Sequence, residues 1–218
     1  MSSSALVAVV GGTGGVGSST FSAALARAAG SALLVDLDPV GGGIDVLLGI
    51  EAAAGARWSE VRVGGGRLDP ADLRHGLPRW EAVSVLALDG EAPAASSVIQ
   101  VLDAGAGRDS VLVADLGRMP SPVRQAVVER ADLVIVVASA DVRDVAAARR
   151  VLAGLGPVPV GLVVRRGAMA EPQAAASIGA PLLGVLPARP RPATPGSVPY
   201  AMRRVATGIL DGVQACLI

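Results

Sequence analysis

Short runs of continuous apolar residues recur along the chain, at 6–10, 32–35, 83–88, 111–114, 133–138, 160–164 and 182–186. Each is short and bounded by Gly, Pro, Asp or Ser, which reads as a buried strand. Longer segments of helical character lie between them. These are 21–29, 70–76, 94–106, 121–131, 141–155, 172–178 and a closing helix from 198 or 200 to 217, with a short helix or turn at 44–48. Several helix starts are marked chemically. Asp69 precedes Pro70, Ser121 precedes Pro122, and Asp141 stands at the head of its segment; each is a cap residue in a favoured position. Residues 37–43 cannot be regular structure, 51–67 read as a surface excursion, and 187–199 are Pro-rich and irregular.

Strands that are apolar throughout are covered on both faces, which implies parallel pairing with helices on each side. The strand–helix alternation therefore predicts an α/β fold, a doubly wound and mainly parallel sheet of about seven strands. No internal repeat or linker divides the chain, so residues 1–218 are expected to form a single P-loop NTPase-like domain. In such sheets ligands sit beyond the carboxyl ends of the strands.

The stretch at that edge with the most chemistry is 11–20, Gly-Gly-Thr-Gly-Gly-Val-Gly-Ser-Ser-Thr, between the first strand and first helix. Glycines there let backbone N–H groups turn onto an anion, and the helix N-terminus adds partial positive charge. The candidate nucleotide-binding residues are Gly12, Thr13, Gly14, Gly15, Val16, Gly17, Ser18, Ser19 and Thr20. A phosphate loop usually ends Gly-Lys-Ser or Gly-Lys-Thr; here Ser18 holds the lysine position. Ser19 stands where a hydroxyl reaches magnesium. Asp115, ending an apolar strand, is placed like the carboxylate that supports magnesium in nucleotide hydrolases. Asp36 and Asp38 form an Asp-x-Asp at the second strand end. We assign Asp36 to the metal with Ser19 and Asp115, and Asp38, if the site is active, to orienting an attacking water. A Gly-rich turn can merely join strand to helix, and strand-end aspartates are common caps. The combination is more specific than any part.

Composition sharpens this picture at three points. All 19 basic residues are arginine, so the chain contains no lysine with which to fill the loop. Formal net charge is zero, which gives no strong nucleic-acid signal. Hydrophobic content is 51% with only 2% aromatic, so the core is built of Val, Leu, Ile and Ala. No apolar run reaches the roughly 18 residues of a membrane span, and no signal peptide is evident. The single cysteine, Cys216, excludes an internal disulfide and fits a reducing cytoplasm. His75, alone, has no ligand partners of its own kind.

Three stretches carry a resemblance to the ParA/MinD family of P-loop ATPases, and within it to the CpaE/TadZ branch. They are the loop at 11–20, the run 33–39 with Gly42, Gly43 and 47–49, and Arg67-Leu68-Asp69-Pro70 leading into 83–87. The last also resembles septum-site-determining proteins of actinobacteria. The resemblance implies an ATP/Mg cofactor and a cytoplasmic positioning factor recruited to a pole or septum. Its partners would be Tad pilus, secretion or division proteins. Homodimer formation and peripheral membrane contact are compatible with it. Many such chains carry an N-terminal receiver-like domain, which is expected to be missing or removed here.

The departures from the family pattern are specific. Its signature lysine, which crosses the dimer interface to the partner's nucleotide, falls on Thr13; its second lysine falls on Ser18. One charge pair at about 4 Å in a dielectric near 20 is worth roughly 4 kcal/mol, on the order of a thousandfold in affinity. The family's adenine-reading Asn matches Arg165, a guanidinium with donors only. Where many relatives have Pro-x-Asp, this chain has Pro187-Ala188-Arg189. Arg118, Arg165 and Arg166 are candidates to replace the lost charge. The closing helix, with Met202, Val205, Ile209, Val213 and Cys216 at helical spacing, is expected to dock on its own sheet. The excursion 51–67, with Trp58, is the preferred partner-contact surface; the alternative is that Trp58 covers the sheet edge. Two functions remain: a scaffold with a degenerate nucleotide site, and an ATPase switch with arginine-compensated binding. A small-molecule P-loop enzyme such as an amide synthetase is a weaker third.

Overall fold

The computed structural model describes residues 4–61, 68–106, 111–188 and 194–216. In chain order the elements are β1 (Ala5–Gly11), α1 (Ser18–Ala28), β2 (Ala32–Leu37), α2 (Ile44–Leu48), α3 (Pro70–His75), β3 (Arg79–Trp80), β4 (Val83–Leu86) and α4 (Ala95–Gly105). They continue with β5 (Val111–Leu116), α5 (Pro122–Val128), β6 (Leu133–Ser139), α6 (Val142–Ala153), β7 (Val160–Arg165), α7 (Glu171–Ile178), β8 (Leu182–Leu186) and α8 (Tyr200–Cys216). The strands form one sheet in the order β3-β4-β2-β5-β1-β6-β7-β8. All neighbours are parallel except β3 and β4.

Alternation along the strands divides the core into two layers. Leu6, Ala8 and Val10 of β1 face one side, with Leu33, Val35, Leu112, Ala114, Val134 and Val136. Val7 and Val9 face the other, with Leu34, Val113, Ile135 and Val137. Helices α4 to α7 cover the first layer through Val98, Val101, Val127, Ala148 and Ile178. Helices α1 and α8 cover the second through Phe21, Leu25, Met202 and Ile209. The fold is thus a single doubly wound α/β domain, as the apolar runs imply, and the closing helix docks on the sheet as expected.

The eighth strand is the element not anticipated. Arg79–Trp80 pairs antiparallel with Val83–Leu86 at the sheet edge, which makes eight strands. Asp69 caps α3 through the N–H groups of Ala71 and Asp72, and Ser121 caps α5 through that of Arg124, both as expected. Asp141 does not cap α6. Its carboxylate accepts from the Ser139 hydroxyl at 2.7 Å and from the Ala168 N–H at 3.0 Å, tying two loops together. Trp58 corrects the expectation of an exposed contact residue. It is only 6% exposed and belongs to the core beside α3. Its indole N–H donates to the Asp36 carbonyl at 2.9 Å, so the segment around it folds back over the end of β2. Residues 62–67, including Arg67, and also Arg189 and residues 217–218, lie outside the described residues.

Replacing Trp58 with Ala removes a buried ring and is expected to lower stability by about 3–5 kcal/mol. Trp58→Phe keeps an aromatic side chain but loses part of the ring volume and the N–H bond to the Asp36 carbonyl, at a cost of about 1–3 kcal/mol. Urea denaturation of the two variants checks both; a loss below about 1 kcal/mol for Trp58→Ala would return the residue to the surface.

Candidate nucleotide site

The phosphate loop joins β1 to α1 at the carboxyl edge of the central strand. Its shape depends on glycine at two points. Gly17 caps α1 with φ of 93°, where a side chain is strained. A Cβ there would also stand 2.9 Å from Arg165 Nη2 and 3.2 Å from the Met202 methyl. Gly12 passes so near α6 that a Cβ would meet that of Ala148 at 2.8 Å. No side chain caps α1 and no acidic residue lies in its first turn. Its N-terminal amides are therefore free for an anion.

These amides open into a cavity of about 690 Å³. Thr13, Gly14, Gly15, Gly17, Ser18, Ser19 and Thr20 form its floor, Asp36 to Leu47 one wall, and Asp115 to Met119 with Arg124 the other. Four candidates of the sequence lie off this cavity. Gly12 lies behind the loop against α6, Val16 is in the core, and Arg165 and Arg166 are off the cavity wall.

Asp36 and Asp115 are direct neighbours in the β2–β5 register. Asp115 is 2% exposed and accepts from the Ser22 hydroxyl at 2.8 Å; Ser19 also hydrogen-bonds to it. Burial first, then the negative charge of Asp36, pushes its pKa up to about 7, against the opposing pull of the two serines. Asp36 accepts from the N–H groups of Asp38 at 3.1 Å and Ile44 at 3.0 Å, so it also folds the loop between β2 and α2. Burial raises its pKa, and these backbone bonds oppose the rise. Asp38 stands half-buried at the mouth, where its carboxylate accepts from the Val40 N–H.

The donor set suits magnesium in one way only. Among the described residues no group of three or more His, Cys, Asp or Glu could hold a metal ion alone. Magnesium is normally held by one or two carboxylates, waters and substrate phosphates. Ser19, Asp115 and Asp36 fit that pattern, and a cation there would relieve the repulsion between the two carboxylates.

Arg165 sits where the resemblance puts the base reader, yet it turns away from the cavity. It is 5% exposed, with Nε donating to the Val16 carbonyl at 3.1 Å and Nη1 to the Pro187 carbonyl at 2.9 Å. It braces the phosphate loop from behind. Its Nη2 is buried without a hydrogen-bond partner, and burial lowers its pKa. Arg166 is exposed and pairs with Glu171 at 3.2 Å. Two contributors escape the sequence reading. Ser22, one helical turn after Ser18, ties α1 to Asp115. Arg124 is buried and donates to the carbonyls of Arg118 and Val151.

A carboxylate whose folded pKa is raised holds its proton more tightly folded than unfolded. Its contribution to stability is therefore complete at low pH and falls as pH rises from about 4 to about 7, by up to about 4 kcal/mol for Asp115. Asp36 adds in the same direction. Unfolding free energy measured without magnesium between pH 5 and 8 should decline more steeply for the natural chain than for Asp115→Asn. Parallel profiles would show that Asp115 is not electrostatically stressed.

No protein-family model matches the chain. It is 45% identical over 195 residues to the protein Rv3660c of Mycobacterium tuberculosis H37Rv. That match covers 86% of this chain and 55% of the relative, so the chain spans just over half the length of the protein it matches. Among solved structures it is similar to a ParA family ATPase from Chlorobium tepidum, with TM-score 0.73, 14% identity, and coverage of 98% of this chain and 97% of that one. MinD of Aquifex aeolicus gives TM-score 0.69 at 19% identity, covering 95% and 97%. The septum site-determining protein MinD of Pyrococcus horikoshii, complexed with Mg-ADP, gives 0.67 at 17%, covering 97% and 98%. The eight-stranded sheet, its crossovers and the loop at its carboxyl edge are those of the ParA/MinD P-loop ATPase fold.

Proposed function

We propose that this chain is a positioning factor of the ParA/MinD type that works through protein contacts. Its magnesium–nucleotide site binds weakly and does not turn over. The observation that carries this reading is the split within one cavity. The loop backbone, Ser19, Asp36 and Asp115 keep the arrangement that suits a magnesium-bound phosphate. Position 18 has no cation, Thr13 replaces the residue that would cross to a partner's nucleotide, and the Arg165 guanidinium is spent on the loop itself. Within the positioning class we place the chain in the CpaE/TadZ-like branch, recruiting Tad pilus, secretion or division machinery to a pole or septum. A similar fold occurs in the MinC:MinD cell division protein complex of Aquifex aeolicus, which supports protein contact as the output.

With Trp58 buried, the contact surface moves to the cavity mouth. Val40 and Met119 are 81% and 64% exposed there, next to Val46. Exposed apolar groups concentrated at one rim suit protein contact. Among the described residues no helix is long and apolar enough to cross a membrane, so recruitment by a partner is favoured over insertion. The reading of an ATPase switch has one observation in its favour, the presence of Arg118 at the loop.

A tagged full-length protein should form the same foci in cells when Asp38→Asn and Asp115→Asn are introduced singly. Fluorescence microscopy with matched expression checks this. Dispersal of both variants, with folding preserved, would replace the scaffold by a nucleotide-driven switch.

A further inference from the structure

We infer that Arg118 supplies the charge that position 18 lacks, contacting the terminal phosphates of a magnesium-bound nucleotide in the loop at 11–17. The inference rests on reading the cavity as a nucleotide site. Arg118 lies just beyond β5, three residues after Asp115, on the cavity wall opposite the loop. A methyl group placed on Gly14 would stand 3.5 Å from its Nη1. The guanidinium thus already reaches the phosphate loop. Its side chain is exposed and has no hydrogen-bond or ion-pair partner among the described residues.

The root of that side chain is fixed although its tip is free. Arg124, itself 5% exposed, donates through Nη1 to the Arg118 carbonyl and through Nη2 to the Val151 carbonyl at 3.3 Å. The turn carrying Arg118 is therefore held by a buried cation and by the cap that Ser121 places on α5. The other candidates are committed elsewhere. Arg165 braces Val16 and Pro187, and Arg166 pairs with Glu171. The cavity lining holds two cations; Arg124 donates to two backbone carbonyls, so among the described residues Arg118 is the one without a partner, on a cavity shared with three carboxylates and the loop amides. A guanidinium presents a planar fork to phosphate oxygens, which an ammonium at position 18 would meet as a point charge. An exposed arginine in high dielectric gives a smaller gain than a buried lysine, which matches weak binding.

The test is calorimetry of the natural chain, Arg118→Ala and Arg118→Lys with Mg-ATP, magnesium tripolyphosphate and AMP. Arg130→Ala, at the far edge of the sheet, controls for net charge. Arg118→Ala should weaken ATP and tripolyphosphate at least about tenfold and leave AMP within about twofold. Arg118→Lys should retain part of the affinity, and Ser18→Lys placed in the Arg118→Ala chain should restore it. Because the exposed side chain makes no hydrogen bond or ion pair among the described residues, the variants should keep the natural circular dichroism spectrum. The inference is overturned if Arg118→Ala binds tripolyphosphate like the natural chain, or loses AMP as strongly as ATP. It is also overturned if the natural chain shows no tripolyphosphate binding up to about 10 mM. The first two results leave the scaffold reading intact, and the third removes only its weak nucleotide site; the output through protein contacts is tested separately, by localisation.

Discussion

Two carboxylates stand side by side because β2 and β5 run parallel in a register that pairs Asp36 with Asp115. Much of the functional edge is organised by this pair. Asp36 gathers the N–H groups of Asp38 and Ile44, and its own carbonyl receives the Trp58 indole, so the loop and the segment over β2 fold around it. Asp115 holds Ser22, and through it the first turns of α1 and the end of the phosphate loop. Neighbouring buried carboxylates repel, and that cost is what a divalent cation would relieve. On the proposed reading the pair would favour a metal, even though the chain has no lysine to hold the phosphates that would accompany it.

Arginine has taken over separate parts of the lysine-less edge, and the three positions differ in what they can do. Arg165 is buried and acts on the loop through the Val16 carbonyl. Arg124 is buried and acts on the turn after β5. Arg118 is exposed and faces the cavity. A buried guanidinium that donates to backbone carbonyls gives position and rigidity; an exposed one gives charge. On the proposed reading, this division keeps the shape of a nucleotide pocket while leaving its electrostatics weak, and a factor that works by contact would need the shape more than the turnover.

The parallel core was legible because its strands are apolar on both faces, a pattern that a half-exposed sheet does not produce. Asp69–Pro70 and Ser121–Pro122 were legible because a cap is a local interaction. Asp141 was not, because its carboxylate is taken by Ser139 and by Ala168, 27 residues away. Arg79–Trp80 escaped for the same reason: a two-residue strand exists only through its pairing. Trp58 sits among small and charged residues, and nothing local says that the chain there folds back over Asp36. The direction of Arg165 was within reach. Val163 faces the α1 layer, so period-two alternation sends residue 165 to the same side, toward Gly17 and Met202.

The central claim is a nucleotide pocket that keeps its geometry without turnover. Single-turnover phosphate release, with the full-length protein in excess over radiolabelled Mg-ATP, tests it most directly. The account predicts release no faster than the buffer control, both for the natural chain and for Arg118→Ala. Release by the natural chain with a rate constant on the order of one per minute, abolished by Asp38→Asn, would contradict it and identify a working ATPase.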